Sequence, residues 1–245
     1  MRMPLSHILL QTLKKGVDRL SEESRSQVEA YVVSQKTEGE AFLNRGNKAD
    51  LYYTMFGWML CYVLNIKTDT KVRKAYLDSI HEGELDTLHQ SAMKQCLLLH
   101  ELLSKGLLLA SVGNWQHRHH IEEFFQHFAE RTYGRGLNAT AANLFVGKEN
   151  KAMSKEESAE GLHYISSLQD ETGGFLSNQA AAIPDLLSTA VALFTLRAFG
   201  NQVTYPAKDF IEVHFGENGA FMPNLLDTQG DVEYEFYGLL ALGCA

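Results

Sequence analysis

The sequence predicts an all-α protein built from tandem helical hairpins, and three observations carry that prediction. Apolar residues recur at steps of three and four along most of the chain, while no alternating strand pattern appears. One segment occurs twice in a single register: Gly173-Gly174-Phe175 leads to Asp185-Leu186-Leu187-Ser188-Thr189, and Gly219-Ala220-Phe221 leads to Asp231-Val232-Glu233-Tyr234-Glu235, so aromatic and aspartate both repeat after 46 residues. Asp50 opens Leu51-Tyr52-Tyr53-Thr54 and so repeats the Asp-x-x-x-Thr of Asp185 to Thr189 at a distance of 135 residues, three times 45. A repeat of this length is a supersecondary unit that cannot bury its apolar face alone, so neighbours must stack into a continuous core.

Leu10, Leu13, Val17 and Leu20, followed by Val28, Tyr31 and Val32 after a cap-like Ser21-Glu22-Glu23, make the first 37 residues a helical hairpin. Further helices are expected at about 49–65, 69–81, 85–105, 114–133, 138–147, 154–169, 185–199, 207–215 and 231–243. Residues 51–64, 93–109, 139–146, 186–199 and 234–242 are apolar around most of the helix circumference, which marks inner helices covered on several sides. The stretches between them, such as 71–77 and 154–160, are amphipathic and charged and belong outside. Degenerate copies of the inner-helix start are expected near residues 95 and 140. The chain therefore reads as one domain over 1–245, an N-terminal hairpin over 1–40 followed by tandem repeats over 45–245 that form an open solenoid or a ring.

Bulk composition excludes some functions. Apolar residues make up 45% and charged residues 21%, ordinary for a globular chain with material for a core. With 22 basic against 30 acidic residues the net charge is -8, which disfavours a nucleic-acid partner, because neutralising phosphates requires clustered Lys and Arg. The N-terminal stretch shows neither the apolar run nor the small-residue cleavage site of a secretory signal, and no apolar run approaches the roughly 18 residues of a transmembrane segment. A cytoplasmic protein is the expectation. Cys61, Cys96 and Cys244 are odd in number and widely spaced, which suggests neither a disulfide framework nor a Cys-rich zinc site.

Leu168-Gln169-Asp170-Glu171-Thr172-Gly173-Gly174-Phe175, followed by Pro184-Asp185-Leu186-Leu187-Ser188-Thr189 and an apolar helix, resembles the repeat of protein prenyltransferase β subunits and squalene-hopene-type terpene cyclases. The resemblance spans about 45–245 and is strongest over 160–245. It implies an α/α toroid of paired inner and outer helices, here trimmed or incompletely closed because the helices fall short of that family's full complement. It also implies an isoprenoid or similar apolar chain as ligand, and a partner subunit of the kind that prenyltransferase β subunits have. Fold resemblance alone does not carry a reaction. In the prenyltransferases an inner helix opens with Asp-x-Cys-Tyr-x-Phe-Trp, whose Asp and Cys hold zinc together with a His from a later inner helix. This chain reads Asp231-Val232-Glu233-Tyr234-Glu235-Phe236-Tyr237, with Glu233 at the cysteine position and Ser188 where a ligand His would precede Thr189. Zinc-thiolate prenylation is therefore not expected, and neither zinc nor magnesium has a complete ligand set. The Asp-x-Asp-Asp acid of the terpene cyclases is also missing.

The candidate catalytic residues are Asp231, Glu233 and Glu235, since crowded carboxyls can hold one acid protonated and Asp231 and Glu235 share a helix face. The competing reading makes Asp231, like Asp50 and Asp185, an N-cap. Candidate substrate-binding residues are Tyr53, Trp58, Asp185, Tyr234 and Tyr237, because inner-helix aromatics can line an apolar cavity and tyrosine hydroxyls need a partner or water; core packing is the alternative role for the same rings. Gly57 and Gly238 each follow an aromatic inside an inner helix, where glycine costs about 1 kcal/mol relative to alanine, so close packing or room for a ligand is expected there. His117, His119, His120 and His127 have spacings compatible with a metal site, but Glu122, Glu123 and Gln126 between them fit a solvated amphipathic face better.

Overall fold

The computed structural model describes residues 5–113 and 136–245, and in these the protein is mostly helical. The N-terminal hairpin is α1 (Leu5–Asp18) and α2 (Glu22–Ser34). It is followed by α3 (Leu51–Leu64), α4 (Thr70–Asp78) and the long α5 (Thr87–Gly113). After residue 136 come α6 (Leu137–Asn150), α7 (Lys155–Ser167), α8 (Leu186–Ala198), α9 (Lys208–Val213) and α10 (Val232–Cys244). The helix expected at 114–133, with its histidines, lies outside the described residues.

The helix boundaries follow from local chemistry. Ser21 caps α2 by accepting the Ser24 amide at 3.0 Å, and Ser154 with Glu157 forms a reciprocal capping box on α7. Asp50, Asp185 and Asp231 are all N-caps, accepting the amides of Tyr52 at 2.8 Å, Ser188 at 2.7 Å and Glu233 at 2.9 Å. The degenerate copy at α6 begins at Gly136, which supplies no side-chain cap. Asn65 ends α3 in the left-handed region at φ 60°, one of the few side chains that tolerates it.

Ahead of α3, α8 and α10 the chain makes the same turn three times. The amide of Thr37, Asp170 or Gly216 donates to the carbonyl of Ala41, Gly174 or Ala220, at 2.8, 3.0 and 2.9 Å. The residue before that acceptor has positive φ in each copy: Glu40 at 62°, Gly173 at 90° and Gly219 at 78°. The next residue is always a buried phenylalanine, Phe42, Phe175 or Phe221. Its amide reaches forward to a side chain one turn into the helix: Thr54 Oγ1 at 2.9 Å, Thr189 Oγ1 at 2.9 Å and Glu235 Oε1 at 2.6 Å. The sequence shows only two of these turns, because Glu40 stands where the other copies have glycine. Its left-handed backbone is held by a Lys36 salt bridge at 3.0 Å and by the Asp69 amide, which donates to Glu40 at 2.9 Å. The two-residue strands Phe42–Leu43 and Ala49–Asp50 close the first turn as an antiparallel pair and are too short to leave an alternating pattern in the sequence.

Packing sorts these helices into layers. α3, α8 and α10 are buried along nearly their whole length, whereas α4 buries only Arg73 and Leu77. α3 lies beside α5, α10 beside both α3 and α8, and α8 beside α6, giving the spatial order α5–α3–α10–α8–α6. The first and last turn-bearing repeats are thereby neighbours. α1 runs antiparallel along α10 at backbone contact: a Cβ on Gly16 would sit 1.9 Å from the Leu239 carbonyl oxygen, and one on Gly243 would sit 1.9 Å from that of Thr12. The last carbonyls of α10 are met by arginines, Arg197 on Gly243 at 3.0 Å and Arg19 on Leu242 at 2.7 Å. No helix among the described residues is long and apolar enough to cross a membrane.

The inner-helix glycines are explained by ring packing. A Cβ on Gly57 would lie 2.2 Å from the Phe42 ring, and one on Gly238 would lie 2.3 Å from the Phe221 ring. Gly238→Ala is therefore expected to lower stability by about 1–3 kcal/mol through overpacking. Gly83, with nothing within 4 Å, tolerates the same change within about 0.5 kcal/mol. Urea denaturation of the two variants checks this, and equal midpoints would contradict it.

Candidate functional site

The first and last repeats meet at the N-terminal ends of α3 and α10, and one arginine joins them. Arg45, in the hairpin loop after Phe42, donates from Nε to Asp231 Oδ2, from Nη1 to Asp227 Oδ2 and from Nη2 to the Gln229 carbonyl, each at 2.7 Å. Its guanidinium carbon stands 5.4 Å from the centre of the Tyr234 ring. Asp231 is thereby fully engaged: Oδ1 takes the amides of Glu233 and Tyr234, and Oδ2 takes Arg45. Asp227 is held below the usual carboxylate range by the Arg45 hydrogen bond.

Glu233 is differently placed. It is half-buried on α10, and its Oε1 accepts the Tyr52 hydroxyl from α3 at 2.7 Å. Burial pushes its carboxyl up to about 7; the Tyr52 hydrogen bond opposes the rise, the charge of Asp231 adds to it and Arg45 opposes it. This acid can exchange a proton near neutrality. Glu235 is fully buried in the slot that threonine fills in the other copies. Its Oε1 accepts the Phe221 amide, its Oε2 has no partner among the described residues, and burial drives its carboxyl well above the ordinary range. Its carboxyl serves the turn.

The aromatic residues form a continuous seam between α3 and α10. Ring centres are 5.7 Å apart for Tyr52–Tyr53, 5.0 Å for Tyr52–Phe56, 5.0 Å for Phe56–Phe236, 5.2 Å for Phe236–Tyr237 and 6.4 Å for Tyr237–Tyr234. Burial, with the negative charges of Asp231 and Glu233, raises the Tyr53 hydroxyl to about 12. Asp185 reaches this group only through its field on Tyr234 and Tyr237, since both its oxygens are occupied by Ser188, the amide at 2.7 Å and the hydroxyl at 2.7 Å. Trp58 lies apart from the seam: its indole donates to the Glu40 carbonyl at 2.8 Å and its ring faces Arg73 and Tyr76.

The structure thus gathers Asp231, Glu233, Tyr53, Tyr234 and Tyr237, leaves Glu235 beneath the turn and Asp185 at its cap, and sends Trp58 elsewhere. Sequence reasoning missed Arg45, which follows the hidden first turn, and Tyr52, whose role depends on which residue faces it across the repeat junction. The residues do not fit zinc, because both Asp231 oxygens are taken by backbone amides and Arg45, and that guanidinium already sits at the carboxylates. No group of three or more His, Cys, Asp or Glu side chains is arranged for a metal among the described residues. No protein-family model matches this chain, and no curated protein is similar to it.

The raised Glu233 carboxyl has a signed consequence for stability. Between about pH 4.5, the ordinary glutamate value, and about pH 7, the native state binds more protons at Glu233 than the unfolded chain does, so stability falls as pH rises through that window. Glu233→Gln removes this contribution. The difference in unfolding free energy between native protein and variant, followed by urea denaturation from pH 4 to 8, is expected to fall across that interval and level off above it; a flat difference would show that Glu233 does not titrate there.

Proposed function

We propose that the protein is an α/α toroid, trimmed or incompletely closed, that binds an isoprenoid or similar apolar chain along the aromatic seam of α3 and α10, with Glu233 at the polar end. The observation that carries this reading is the run of rings from Phe236 through Phe56 and Tyr52, which ends on a half-buried carboxyl bonded to a tyrosine hydroxyl. Apolar sites with few convergent polar groups and one perturbed acid are the usual pattern of small-molecule binding. The helix order α5–α3–α10–α8–α6 supports the toroid, since the first and last repeats touch as they do in a ring. Any reaction would be acid–base chemistry centred on Glu233, because Asp231 and Glu235 are consumed by structure.

That consumption also favours a second reading, a non-catalytic repeat scaffold or small subunit for a partner protein. Asp231 and Glu235, two of the three crowded acids, have helix-capping and turn-holding bonds that account for them without a ligand. Fluorescence titration with farnesol and geranylgeraniol separates the two. The binding reading predicts saturable binding that Tyr53→Ala and Tyr234→Ala each weaken about tenfold to a hundredfold, the equivalent of about 1.5–3 kcal/mol for a buried large side chain. Tyr205→Ala, at an exposed position, should change nothing. Absence of saturable binding to the native protein would favour the scaffold.

A further inference from the structure

We infer that the contact between α4 and α5, on the far side of α3 from the acidic seam, is a binding site for one small oxyanion of the phosphate or sulfate class, held by Arg73 with His100, Thr70 and Ser104 around it. Arg73 is fully buried, among the largest side chains with no exposed surface. Among the described residues its hydrogen bonds go to neutral acceptors only: Nη1 to the His100 carbonyl at 3.2 Å, and Nη2 to Thr70 Oγ1 at 3.1 Å and Ser104 Oγ at 3.2 Å. Its Nε is buried without a partner among the described residues, and so is Nδ1 of the adjacent His100. A guanidinium carries five N–H donors and a charge that is not given up; the Trp58 ring at 5.7 Å meets part of that charge, but no carboxylate among the described residues bonds it and Nε stays unpaired.

The nearby carboxylates among the described residues are committed elsewhere. Glu40 acts on Arg73 only through space, its oxygens taken by Lys36 at 3.1 and 3.0 Å and by the Asp69 amide at 2.9 Å. Asp69 caps α4 through the amides of Lys71 and Val72. Asp78 pairs with Lys74, and Glu101 with Lys105. Burial and the charge of Arg73 both disfavour protonation of His100, which the Glu101 charge opposes. Thr70 and Ser104, which bond Nη2 directly, are exposed, so the guanidinium lies one layer of hydroxyl-bearing side chains beneath the surface and an anion would reach it by displacing those two bonds. A planar fork with hydroxyl groups beside it suits a tetrahedral oxyanion, which can accept several N–H and O–H bonds at once.

Thermal unfolding of the full chain in sodium phosphate, against sodium chloride of matched ionic strength, tests the site. The native protein is expected to gain Tm saturably in phosphate, by about 5–10 °C at a hundredfold excess over Kd. Ser104→Glu places a carboxylate beside Arg73, and is expected to raise Tm without phosphate and lose the phosphate increment. Arg73→Met is expected to lose the increment as well. General salting-in or salting-out acts on every variant alike, so it cannot mimic this pattern. The inference is overturned if the native protein shows the same Tm in phosphate and matched chloride, or if Ser104→Glu keeps the full increment.

Discussion

A buried backbone amide sets the terms for this fold. Each of the three turn-bearing repeats drives a phenylalanine under its inner helix, and the ring takes with it an N–H that no strand or helix satisfies. An unpaired buried donor costs about 1–3 kcal/mol, so the chain must bring an acceptor to it. Thr54, Thr189 and Glu235 do so from the fourth position after the aspartate cap, each at less than 3 Å. That one bond fixes the helix against its turn. It requires positive φ two residues before the phenylalanine, and in the first and last copies it puts the ring where only glycine fits at position 57 or 238.

Stacking of such units places the caps of α3 and α10 side by side, and the candidate site arises from that junction. Arg45 comes from the loop of the first repeat, Asp231 and Glu233 from the last, and Tyr52 reaches across. Neither repeat holds the cluster alone. The same packing that joins the repeats desolvates Glu233 and leaves Asp231 bound to a guanidinium, so two carboxylates two residues apart receive different chemistry.

Much of the helical framework was legible because it rests on local signals. Ser21, Asp50, Ser154, Asp185 and Asp231 mark helix starts through capping, and the apolar circumference of α3, α8 and α10 marks them as inner. The first turn was not legible, since Glu40 replaces the glycine that identifies the motif and is kept in place by Lys36 and the Asp69 amide, contacts between residues brought together only by folding. The crowding of Asp231, Glu233 and Glu235 could be read from spacing, but their division of labour could not. Which of them caps, which titrates and which sits beneath a turn depends on Arg45, Tyr52 and Phe221, two of them distant in sequence. Trp58 shows the converse: apolar spacing placed it on an inner helix without saying that its indole faces Glu40 and Arg73.

Native-state hydrogen exchange of the Phe42, Phe175 and Phe221 amides tests the central role of the turn bond most directly. All three are expected to exchange only through the global unfolding reaction, and Thr189→Val is expected to release the Phe175 amide to fast local exchange while the other two stay protected. Rapid exchange of these amides in the native protein, or unchanged protection of Phe175 in the variant, would contradict it.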